Sequence, residues 1–118
     1  SGEPAFGIPE ETEPQLHIRY EAGLEEVRFL DGSIPDVPAD CRGRSWEASA
    51  YLEADAKGKV RHVFLERRAP CEAFNQALVH TMQYWRVENP DRPVAGRVVF
   101  RLYVPPRARQ QAREGAAP

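Results

Sequence analysis

The amino-acid sequence predicts a small α+β domain: an antiparallel sheet with one main amphipathic helix packed on one face, preceded by an extra pair of short strands. Three observations lead there. Two stretches of alternating apolar residues flank a turn ending in Gly58; from Glu72 the apolar period lengthens from two residues to between three and four; and "GRVVFRLYV" alternates again before a proline pair. A chain of 118 residues suits one domain with a modest core.

Residues 1–15 hold three prolines and four glutamates with no apolar period, which predicts an extended, acidic linker. The domain is expected over residues 16–105. In "LHIRYEA", Leu16, Ile18 and Tyr20 alternate with His17, Arg19 and Glu21, and "EVRFL" repeats the habit after a break at Gly23, giving the two short N-terminal strands. "DGSIPDVPADCRGR", with two prolines and two glycines, reads as a loop.

Trp46, Ala48, Ala50, Leu52 and Ala54 then form one face of a strand, Asp55-Ala56-Lys57-Gly58 makes a turn, and residues 60–66 return as its partner. Phe74, Ala77, Leu78, Thr81, Met82 and Trp85 fall on one helical stripe. Trp85, in "HTMQYWRVENP", is its last knob, plugging the seam where the helix leaves the sheet before Asn89-Pro90 turn the chain back. Trp46, Phe74, Leu78, Met82 and Trp85 are the expected core anchors. The final strand is followed by Pro105-Pro106, neither of which donates to a ladder, and residues 106–118 read as a disordered basic tail.

Composition narrows the function classes. A net charge of −2 gives no electrostatic case for nucleic acid. No apolar run approaches the roughly 20 residues that span a bilayer. His17, His62 and His80 lie on separate elements, no serine sits in a nucleophile elbow, and no glycine-rich phosphate loop is present. The expectation is therefore of no catalytic residue, no metal and no cofactor. Cys41 and Cys71 leave two readings: a disulfide closing a loop of about 30 residues, which contributes roughly 3–4 kcal/mol in the chain-entropy model, or a pair of unconnected small residues.

The hairpin "ADAKGKVRHVFLERR", the helix "EAFNQALVHTMQYWRV" ending in Trp-Arg, and "RPVAGRVVFRLYV" come in the order found in the C-terminal domain of TonB-type energy transducers, and over residues 46–104 the chain resembles that family. Trp46 stands where the family usually has a glycine, Val87 replaces the aromatic residue after Trp-Arg, and residues 16–30 have no counterpart. The resemblance implies a protein-interaction domain of the Gram-negative periplasm rather than an enzyme. It implies tethering to the inner membrane by an N-terminal anchor absent from this sequence, contact through that anchor with inner-membrane motor proteins, and force transmission for energy-coupled transport.

It also implies that the last strand, Gly96, Arg97, Val98, Val99, Phe100, Arg101, Leu102, Tyr103 and Val104, is a working edge. That edge would take a segment of an outer-membrane TonB-dependent receptor by β-strand addition. Two other readings stand beside this one: a structural module whose edge pairs with a second copy as a homodimer, and a small-ligand binder or enzyme using a cleft between residues 16–30 and the helix, with His62, Glu66 or Tyr84 around it.

Overall fold

The computed structural model describes residues 13–106; residues 1–12 and 107–118, which carry most of the expected linker and tail, lie outside it. The elements are β1 (Gln15–Glu21), β2 (Phe29–Asp31), a 3-10 turn at Ala39–Cys41, β3 (Trp46–Ala54), β4 (Val60–Arg67), α1 (Glu72–Met82), β5 (Arg86–Val87) and β6 (Val94–Tyr103). They form an antiparallel four-stranded sheet in the order β1-β6-β3-β4, with β2 and β5 as a separate two-stranded pair.

The alternation of the sequence sorts the sheet into two faces. Ala48, Ala50, Leu52 and Ala54 on β3 and Val98, Phe100 and Leu102 on β6 are all buried on the face that α1 covers. Three of those β3 residues are alanines, which leaves depth for Phe74, Leu78, Met82 and Trp85, all in the same apolar cluster. The opposite face carries charge and aromatic rings.

Helix α1 stops earlier than the stripe of apolar residues suggests. Its last residue is Met82, and Trp85 follows in a turn whose N–H donates to the Met82 carbonyl at 3.1 Å. What wins over helical continuation is strand pairing: Val87 N–H donates to the Gly58 carbonyl at 2.9 Å and Glu88 N–H to the Arg28 carbonyl at 2.8 Å. Trp85 nevertheless fills the seam, 1% exposed, its indole N–H donating to the Ser33 carbonyl at 2.7 Å.

The two N-terminal strands do not pair with each other. Ala22 and Gly23, at φ 53° and 112°, turn the chain off the sheet, and Leu24 drops into the core with no exposure. β1 therefore lies along β6 in seven consecutive residue pairs, whereas β2 pairs with β5. Gly96 makes this crossing possible: a Cβ there would stand 2.6 Å from Leu24 Cγ and 2.7 Å from two backbone oxygens.

Candidate functional site

The expected working edge is not an edge. β6 has β1 on one side over residues 97–103 and β3 on the other over residues 94–102, Val99 facing Arg19 of β1 and Ser49 of β3, and Arg101 facing His17 and Glu47. Beyond its last residue, Val104 N–H is taken by Ser45 Oγ at 2.9 Å. Gly96, Arg97, Val98, Val99, Phe100, Arg101, Leu102 and Tyr103 thus lie in ladders within the domain, and the Val104 N–H is taken as well. The physical reason is β1: its own apolar alternation extends the core face, so it occupies the side of β6 that strand addition would need.

The sheet's free backbone lies instead on β1 and β4, its outer strands. The backbone bond that closes the β3–β4 turn, from Asp55 N–H to the Lys59 carbonyl at 2.8 Å, fixes which groups are available. In an antiparallel ladder successive residues direct their backbone groups to opposite sides. With Asp55 directed at β4, the odd residues of β3 face β4 and its even ones face β6, so the even residues of β6 face β3 and the odd ones face β1. The odd residues of β1 pair with these, so Leu16, Ile18 and Tyr20 direct N–H and C=O outwards. By the same alternation Tyr51 of β3 pairs with Phe64, and Val63 and Leu65 point outwards from β4.

The open face of the sheet is an ion-pair lattice. Arg67 reaches Glu47 at 3.2 Å, Arg97 reaches Glu66 at 2.7 Å and Glu21 at 3.6 Å, and Arg19 reaches Glu21 at 2.5 Å. Glu21 is held below the usual carboxylate range, chiefly by the hydrogen bond from Arg19 and then by the charges of Arg19 and Arg97. The carboxylates of Glu66 and Glu21 push Arg97 further up, Glu66 contributing most. Towards the start of β1 a shallow groove of about 530 Å³ is bordered by His17, Ile18, Arg19, Val99, Arg101 and Tyr103.

The remaining sequence candidates are scattered. Phe74, Leu78 and Met82 are fully buried, while Trp46 is half-buried, its ring 5.4 Å from Phe74 and its indole N–H donating to the Cys41 carbonyl at 2.8 Å. Cys41 and Cys71 are joined, tying the loop before β3 to the residue that opens α1. His62 and Tyr84 border a shallow groove outside β4, whereas Glu66 is bound to Arg97 on the open face, so the three do not converge. Between residues 16–30 and α1 the space is filled by a run of rings, Tyr20 on Phe29 at 5.3 Å and Phe29 on Trp85 at 5.1 Å. Among the described residues no group of three or more His, Cys, Asp or Glu is placed to hold a metal ion. Among the described residues no helix is long and apolar enough to cross a membrane.

Leu24 and the partner of β1 are what the sequence reading missed. The available signal was Gly96: a glycine inside a strongly alternating strand marks a close backbone approach. Comparison with protein-family models, with curated proteins and with solved structures finds no match.

Proposed function

We propose that this chain is a protein-interaction domain that accepts an extended partner segment by β-strand addition, with β1 rather than β6 as the receiving edge. The observation that carries the reading is the state of that edge. β1 runs in unbroken register along β6, its outer side bears the N–H and C=O groups of Leu16, Ile18 and Tyr20, and those three side chains are only half-buried. An added strand satisfies the backbone groups and extends the apolar face over the half-covered side chains.

The wider role follows the resemblance to TonB-type transducers: a periplasmic domain, tethered to the inner membrane, that grips a segment of an outer-membrane receptor and passes on force from motor proteins. The sequence order of hairpin, helix and returning strand supports it. So does the disulfide, since such bonds persist in oxidising compartments. Displacing β1 to expose β6 is the costlier route, because it breaks seven residue pairs and uncovers Leu24, whereas addition outside β1 breaks none.

The test compares two prolines, each removing one outward donor. Peptides selected from a displayed library against the wild-type chain are measured by calorimetry on Ile18→Pro and Val63→Pro, with folding checked by circular dichroism. Ile18→Pro is expected to stay folded and lose binding, and Val63→Pro to retain it. Normal binding by a folded Ile18→Pro overturns the assignment of the edge.

A further inference from the structure

We propose that the segment accepted at β1 is acidic, its open-face carboxylates seated on Arg19, Arg101 and His17 in the groove that Tyr103 closes. This rests on the strand-addition reading and adds to it the chemistry of the partner.

The argument begins with a mismatch in the ion-pair lattice. Away from the start of β1, the arginines of the open face are matched: Arg67 with Glu47, and Arg97 with Glu66 and Glu21. Towards the start of β1 the pattern fails. Arg101 has His17 and Glu47 as cross-strand neighbours, and Glu47 is engaged by Arg67. Among the described residues no carboxylate forms an ion pair with Arg101 or His17, and the groove they border is lined by no acidic side chain; Arg19, also on its rim, is bound to Glu21 at 2.5 Å. The sheet therefore carries one arginine in excess, Arg101 of β6, beside His17 of the outer strand, on a chain whose net charge is −2.

Geometry brings that excess within reach of an added strand. Neighbouring strands lie about 4.8 Å apart, and side chains directly opposite each other on one face interact. An incoming strand thus places alternate side chains beside His17 and Arg19, with Arg101 one strand further in. A glutamate there meets an arginine from the side, and the Tyr103 hydroxyl offers another donor.

A second copy of this chain is a poor occupant by the same rule. Centred on Ile18, an antiparallel β1–β1 pairing sets Arg19 opposite His17 of the other copy; centred on Arg19 or on His17, it sets that residue opposite itself. Like groups face one another, which weakens the pairing where both are charged. An acidic strand has no such conflict where its carboxylates lie beside His17 and Arg19 and stop short of Glu21.

The probes are three short extended peptides in which valine alternates with glutamate, threonine or lysine, measured by calorimetry at low and high salt. The glutamate peptide is expected to bind roughly tenfold more tightly than the lysine peptide, the sum of a few exposed ion pairs, and to lose most of that advantage at high salt. Arg101→Gln and Arg19→Gln are each expected to reduce the preference of the glutamate peptide over the threonine peptide.

Equal binding of all three peptides, lost in Ile18→Pro, leaves strand addition standing and overturns the acidic partner. Binding that ignores Ile18→Pro overturns both. Acidic-peptide binding that appears only after Glu10→Gln and Glu11→Gln shows an occupant within the same chain and overturns a partner-supplied strand. A mass that doubles with concentration through β1 overturns it in favour of self-pairing.

Discussion

The two outer strands of the sheet differ in how well they are closed to further pairing. β4 is tied to β3 by a tight turn, its register with β3 shifts at both ends, and α1 packs against it. Such bulges twist an edge and make it a poor template for another strand. β1 has no bulge, pairs on one side in seven consecutive residue pairs, and buries none of its side chains fully. The difference teaches that exposure of a ring is a weaker guide to docking than the state of the backbone. β4 displays Phe64, 55% exposed and stacked on His62, yet β1 offers the straighter ladder.

The largest expected effect separates the two edges through the core. Trp85 supports Phe29, and Phe29 in turn stacks on Tyr20 of β1, so a run of three rings links the end of α1 to one edge and not the other. Trp85→Ala is expected to cost about 3–5 kcal/mol, the range for removing a buried aromatic side chain. Hydrogen exchange on the variant should show protection falling further on β1 than on β4. A loss under about 1 kcal/mol in denaturant melts, or equal loosening of both strands, breaks the link proposed between Trp85 and β1.

How much of this was legible in the sequence follows from the range of each interaction. The β3–β4 hairpin, α1 and β6 were readable because alternation, a glycine-closed turn and the helical period are local signals, and the buried Trp85 lay on the apolar stripe. The end of α1 was not, since strand pairing by Val87 with the tip of the β3–β4 turn is a contact 29 residues distant, between Gly58 and Val87. The standing of β6 as an internal strand was hidden for the same reason. Its alternation fits an outer or an inner strand of a one-sided sheet, and only β1, arriving from more than 70 residues away, decides between them. The disulfide was one of two open readings because connectivity depends on where the loop before β3 meets α1.

A smaller effect probes the other edge. Gly58 has φ +88°, and a Cβ there would stand 2.0 Å from the Val87 carbonyl oxygen. Gly58→Ala therefore strains the turn and pushes it off β5. The expected cost is about 1–3 kcal/mol from backbone strain alone, with the contact adding to it. Because the lesion sits at the β3–β4 turn, β4 and β5 should lose exchange protection while β1 keeps it. Peptide binding at β1 should survive in the folded fraction; its loss would mean that the β4 side takes part in docking.

The smallest expected effect comes from acid. Glu21 on β1 and Asp55 at the β3–β4 turn both have native pKa values below those of the unfolded chain. A carboxylate lowered in this way stabilises the fold at pH above its unfolded value, and that contribution is lost as pH falls through the native value. Both edges should therefore loosen on acidification below the ordinary carboxylate range, but for different reasons. Asp55 is lowered first by the backbone N–H of Lys59, then by that of Lys57, at 3.0 and 2.9 Å, with Arg61 adding less. Glu21 is lowered by the side chains of Arg19 and Arg97, which are exposed and open to screening. In a carboxyl-carbon NMR titration, added salt should raise the native pKa of Glu21 towards its ordinary value and leave that of Asp55 low. The same response in both would mean that the arginines of the open face hold β1 no differently from the way backbone donors hold the turn, and the contrast between the two edges would then rest on register alone.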